Sequence, residues 1–79
     1  MATKAYVLIE TSVGKSRDVA NELRSLRGVQ AADNVTGPYD VIAVVEAADL
    51  TAVGALLASR IHTLNGIVRT VTCLSVGRS

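Results

Sequence analysis

The chain alternates between two hydrophobic periods. Ala5 to Thr11 is a short apolar run rich in β-formers and predicts a first strand. After Ser12-Val13-Gly14 the period lengthens: Val19, Leu23 and Leu26 fall at i, i+4 and i+7, one stripe of a helix starting at Lys15. Asp18 in its first turn and Arg24 and Arg27 in its last suit the helix dipole, and Gly28 stands where a left-handed cap belongs. Val29 to Thr36 reads as a second, weaker strand and Asp40 to Ala47 as the strongest. Asp49 is placed to cap a second helix, along which Leu50, Val53, Leu57, Ile61 and Leu64 keep helical spacing until Asn65-Gly66. Ile67 to Val76 is a fourth strand, and Gly77-Arg78-Ser79 a frayed tail.

The predicted order is β-α-β-β-α-β. A repeat underlies it: Leu26-Arg27-Gly28-Val29 and Leu64-Asn65-Gly66-Ile67 share one form at an offset of 38 (66 − 28 = 38), which also lays Leu23 on Ile61, Val19 on Leu57 and Val7 on Val45. Two such units in tandem make an α+β, ferredoxin-like split fold. Right-handed crossovers place both helices on one face of a four-stranded antiparallel sheet. The other face should then be polar, yet it is not. Val41, Ala43 and Val45 oppose Ile42 and Val44; Val7 and Ile9 oppose Tyr6 and Leu8; Val71 and Cys73 oppose Val68, Leu74 and Val76. An apolar second face calls for another layer, most simply a second copy packed sheet to sheet in a dimeric α/β-barrel-like pairing.

Size points the same way. With 79 residues there is room for one domain, residues 1–79, whose core supplies only about 3–5 kcal/mol. Cys73 is the only cysteine and His62 the only histidine, so neither a disulfide nor a metal site is expected within the chain. The net charge of +1 gives no basis for direct nucleic-acid binding, and no apolar run nears the roughly 20 residues of a membrane span. No signal peptide of the usual form precedes the first strand, so a cytoplasmic location is expected.

Between the second and third strands lies Val35-Thr36-Gly37-Pro38-Tyr39-Asp40, which holds the only proline and one of two tyrosines. Gly and Pro side by side mark a turn. Its Tyr39, Asp40 and glycine amides could meet a ligand, or Asp40 could simply bond the turn's own backbone. The other candidates read more plainly from their settings. His62 suits a helix C-terminus, Cys73 a buried strand position, and Glu10 and Glu46 the solvent rim. Gly14-Lys15-Ser16 lacks the spacing of a phosphate loop. Thr70 and Thr72 share one face of the last strand, where threonine is an ordinary β-former.

These pieces together resemble the effector domain of the Lrp/AsnC transcriptional regulators, also called the RAM domain. The resemblance spans about Ala5 to Val76. It is carried by Ala5-Tyr6-Val7-Leu8-Ile9, Leu26-x-Gly28-Val29, Val35 to Asp40 with the apolar strand after it, Ala48-Asp49-Leu50, and Leu64 to Thr72. It implies a non-enzymatic amino-acid-binding and oligomerisation module whose dimers assemble into rings, commonly octamers or decamers. It also implies effectors held between dimers by Gly37, Tyr39 and Asp40, with Thr70 and Thr72, and no cofactor. Only Met1 to Lys4 precede the first strand, so a stand-alone module without a helix-turn-helix domain is expected, with full-length regulators of the family as possible partners. Two rivals share the topology. A small dimeric monooxygenase-type enzyme needs convergent polar groups, for which His62 is the only histidine. An ACT-like amino-acid-binding domain would place its ligand at Ser12-Val13-Gly14.

Overall fold

The structure, a computed structural model, describes residues 2–76. Its elements are β1 (Thr3–Thr11), α1 (Ser16–Arg24), β2 (Val29–Asn34), β3 (Val41–Ala47), α2 (Leu50–Leu56) continued by a π-helical turn (Leu57–Ile61), and β4 (Ile67–Leu74). The strands form one antiparallel sheet in the order β2-β3-β1-β4. This is the expected ferredoxin-like arrangement. None of the described helices is long and apolar enough to cross a membrane.

Alternation along the strands decides what is buried. Ala5, Val7 and Ile9 of β1 face Val45, Ala43 and Val41 of β3 across the ladder, and all six are fully buried under the helices. Val19, Ala20 and Leu23 of α1, Val53 of α2 and Ile61 complete that core with Ala32. The repeat is visible in it: Val7 and Val45 are both buried, as are Leu23 and Ile61. Gly28 and Gly66 both take positive φ, 96° and 101°, where a side chain is disfavoured. Their carbonyls play matching parts. Gly28 accepts from the amide of Glu46 at the end of β3 (2.9 Å), and Gly66 from that of Ser12 just past β1 (2.8 Å). Each unit's helix-to-strand glycine thus ties down the central strand of the other unit.

Several expected boundaries shift. Helix α1 ends at Arg24, not Arg27; tighter i→i+3 bonds from Ser25 and Leu26 bring the chain round to Gly28. Strand β2 stops at Asn34, because the amide of Val35 bonds the carbonyl of Asp40 (2.9 Å) and closes the turn. Asp40 is therefore part of the turn, and β3 starts at Val41. Strand β4 ends at Leu74, leaving Val76 outside it, and the tail residues 77–79 lie outside the described residues.

The second helix departs most. Asp49 caps it as expected, accepting the amide of Ala52 at 2.8 Å, a contact worth about 1 kcal/mol. Leu50, however, is 59% exposed although it falls on the apolar stripe. From Leu57 the helix widens to i→i+5 bonding, with the amide of His62 on the carbonyl of Leu57 at 2.8 Å. A π turn inserts one extra residue, so neighbouring Leu56 and Leu57 both pack on the core.

Candidate functional site

Two surfaces remain unpaired, and the sheet places them on opposite sides of β4. The first is the sheet face away from the helices. Tyr6 and Leu8 of β1, Ile42 and Val44 of β3 and Val71 and Cys73 of β4 share it, through the cross-strand pairs Tyr6–Val44, Leu8–Ile42, Leu8–Val71 and Tyr6–Cys73. Tyr6 and Val71 are each 37% exposed. Cys73, expected to be buried, is exposed; its strand is an edge, and none of the described residues covers it. Charges rim the apolar centre. Lys4 and Glu46 pair across the ladder at one end, with the Lys4 ammonium 5.3 Å from the Tyr6 ring centroid. Glu10 and Arg69 pair at the other.

The second surface is the helix side of β4. Helix α1 packs over β2 and β3, and α2 over β3 and β1. The β4 residues opposite buried Val7 and Ile9 are Thr72 and Thr70, which no helix covers fully. Thr70 Oγ1 lies 3.2 Å from His62 Nε2. His62 is thus solvated as expected, and it also has a partner that the sequence did not indicate. Beside this contact is a shallow depression of about 260 Å³ lined by His62, Ile67, Val68, Arg69 and Thr70. The sheet is irregular there: β4 pairs Arg69 with Glu10 but Ile67 with Thr11, so Val68 is bulged out.

The turn lies at the Arg69 end of the sheet. Gly37 has φ 152° with nothing within 4 Å of a Cβ built there, so backbone conformation rather than space calls for glycine. Asp40 does not bond the turn's own backbone through its side chain. Its Oδ2 accepts the amide of Thr11 at 2.8 Å and the Thr11 hydroxyl at 3.2 Å. Its own amide donates to the Ile9 carbonyl at 2.8 Å. Asp40 is thus a clasp between the turn and the end of β1, 29 residues away. Sequence reasoning missed this because only the β1–β3 register brings Thr11 there. The Tyr39 ring, half-buried, stands 5.8 Å from the Arg69 guanidinium carbon, within cation–π range. Asp40→Ala leaves the Thr11 amide without its partner, and a loss of about 1.5–3 kcal/mol is expected in urea unfolding. An unchanged midpoint would show that the clasp carries no stability.

The five residues expected to meet a ligand therefore do not converge within one chain. Gly37, Tyr39 and Asp40 stand together at the turn, with Arg69 and Glu10 of the open face. Thr70 and Thr72 lie on the other side of β4, with His62.

The sequence model of the Lrp/AsnC ligand binding domain matches residues 4–78. The chain belongs to this family. A curated relative, an uncharacterized HTH-type transcriptional regulator of Pyrococcus furiosus, is 28% identical over 78 residues, covering 95% of this chain and 52% of its own length. The Lrp/AsnC chain described here thus spans about half the length of the curated relative it matches. A solved protein of Thermus thermophilus superposes with a TM-score of 0.91 at 28% identity, over 98% of this chain and 96% of its own. The fold alone is shared, at 14% identity and a TM-score of 0.84, with a Neisseria meningitidis transcriptional regulator solved in complex with L-Met; that match covers 95% of this chain and half of the other.

Proposed function

We propose that this ligand-binding domain is a non-enzymatic, cytoplasmic module that senses an amino acid and regulates transcription through ligand-sensitive self-assembly. The observation that carries the reading is the family match over residues 4–78 on a chain whose sheet leaves one apolar face uncovered. Two copies pack these faces together about a two-fold axis, and dimers associate further into a ring such as an octamer or decamer. The turn of Gly37, Tyr39 and Asp40, together with Thr70 and Thr72, builds the effector site. Because the turn joins β2 to β3 while the two threonines lie on β4 at the other edge of the sheet, a single chain has the parts of a site but not a closed pocket, and a neighbouring subunit completes it. The L-Met complex of the distant Neisseria regulator supports an amino acid as the ligand class.

Regulation follows from linkage. A ligand bound between subunits shifts assembly by its differential affinity for the associated and separate states. Full-length regulators of the family are proposed partners through which a signal reaches DNA; the +1 net charge gives no basis for direct DNA contact by this chain.

Native mass spectrometry with and without a mixture of the twenty L-amino acids tests the reading. Dimers and multiples of dimers are expected, with the distribution moved by the mixture. A chain that stays monomeric at micromolar concentration in both samples refutes it.

A further inference from the structure

The open face ends, beside the turn, in two opposite charges and an aromatic ring. Arg69 Nε lies 3.4 Å from Glu10 Oε1, and the side chains are 62% and 42% exposed. An ion pair so exposed contributes little to folding. Its unused capacity is the larger part. The Arg69 guanidinium is a planar fork with five N–H donors, and the carboxylate of Glu10 has lone pairs to spare. Tyr39 holds the fork from one side at 5.8 Å, which limits the freedom Arg69 would lose on binding.

An α-amino acid also carries one positive and one negative group side by side, on a single carbon. Laid head to tail along the Glu10–Arg69 pair, each of its charges meets the opposite sign. Its carboxylate takes the Arg69 fork, its ammonium takes Glu10, and the Tyr39 ring forms a wall. Asp40 is placed differently. The oxygen Oδ2 of its carboxylate is occupied by the Thr11 amide and hydroxyl, and its effect on a ligand runs through the position of Tyr39.

We propose that Glu10 and Arg69 are the residues of this site that read the zwitterion of an α-amino acid, and that Asp40 is a positioning residue that fixes Tyr39 over Arg69. This rests on the reading of the turn as part of an amino-acid site. The opposite end of the same face offers an internal control: Lys4 stands by Tyr6 and pairs across the ladder with Glu46, but lies far along β1 from the turn.

The test is calorimetric titration of the whole chain with each of the twenty L-amino acids. The tightest binder is then followed by its amide, which lacks the carboxylate charge, and its N-acetyl derivative, which lacks the ammonium charge. Each derivative is expected to bind the unmodified protein about tenfold or more weakly, as loss of a charge-assisted bond implies. In Arg69→Gln the preference over the amide collapses towards one, and in Glu10→Gln the preference over the N-acetyl derivative does. Arg69→Lys, which keeps the charge, restores the first preference in part and serves if Arg69→Gln binds too weakly to titrate. Asp40→Asn weakens all three ligands alike, and Lys4→Gln alters neither ratio. Unmodified protein that binds an amino acid, with both preferences intact in the Arg69 and Glu10 variants, overturns the assignment while leaving the proposed function standing. Unmodified protein that binds none of the twenty overturns both.

Discussion

Leu23→Ala is expected to remove roughly 2–5 kcal/mol of stability, the range for truncating a fully buried leucine. Leu23 is completely buried, at the centre of the apolar layer beneath α1. A core of this size supplies only about 3–5 kcal/mol, so the variant is expected to be largely unfolded at concentrations where subunits separate. Urea unfolding followed by far-UV circular dichroism measures it. Leu50→Ala is the matching control. Both leucines fall on a helical apolar stripe, but Leu50 is 59% exposed, and its truncation should change stability by no more than about 0.5 kcal/mol. Equal losses at the two positions would mean that the helix layer does not pack as described.

The second large effect concerns the bare sheet face. Val44→Lys puts an ammonium at the middle of it, between Tyr6 and Ala31 in the ladder. Val44 is outside the buried core, so the folded chain tolerates the change. A sheet-to-sheet dimer does not, because the charge is buried without a partner on both sides of the two-fold axis. A penalty of about 4 kcal/mol weakens the dimer roughly a thousandfold. Sedimentation velocity is expected to show monomer where the unmodified protein is dimeric, while Ala58→Lys, on the exposed side of the π turn, leaves the mass unchanged. If Val44→Lys sediments as a dimer, the copies meet through some other surface.

These two cases also show where sequence patterning is reliable. Strand alternation is local: a residue's face follows from its parity, so the separation of Val41, Ala43 and Val45 from Ile42 and Val44 onto opposite faces was legible beforehand, though not which set the helices bury. The 38-residue repeat was legible too, because a left-handed backbone favours glycine and Gly28 and Gly66 take positive φ just before β2 and β4. The helical stripe was less reliable. It groups Leu50 with Val53 and Ile61 but carries no information on how far the first turn of α2 overhangs the sheet. Nor does it reveal the π turn at Leu57, which lets two adjacent leucines reach the core.

The site was legible as a turn and not as an arrangement. Gly37, Pro38, Tyr39 and Asp40 identify themselves by composition. What each side chain touches does not, since their partners are distant in sequence: Asp40 on Thr11, Tyr39 beside Arg69, and His62 against Thr70 across the α2–β4 connection.

By itself, then, the sequence determined the element order, the two-layer fold and the apolar character of both sheet faces. These are set by periodicity and by the local conformational demands of glycine and proline. Only the tertiary structure decided which sheet face the helices cover, that Asp40 is a clasp, and that Glu10 and Arg69 meet beside the turn. Those facts depend on strand register and on the bulge at Val68. Shifting a ladder by one residue exchanges every side chain between the two faces, and no stretch of the chain read alone fixes that choice.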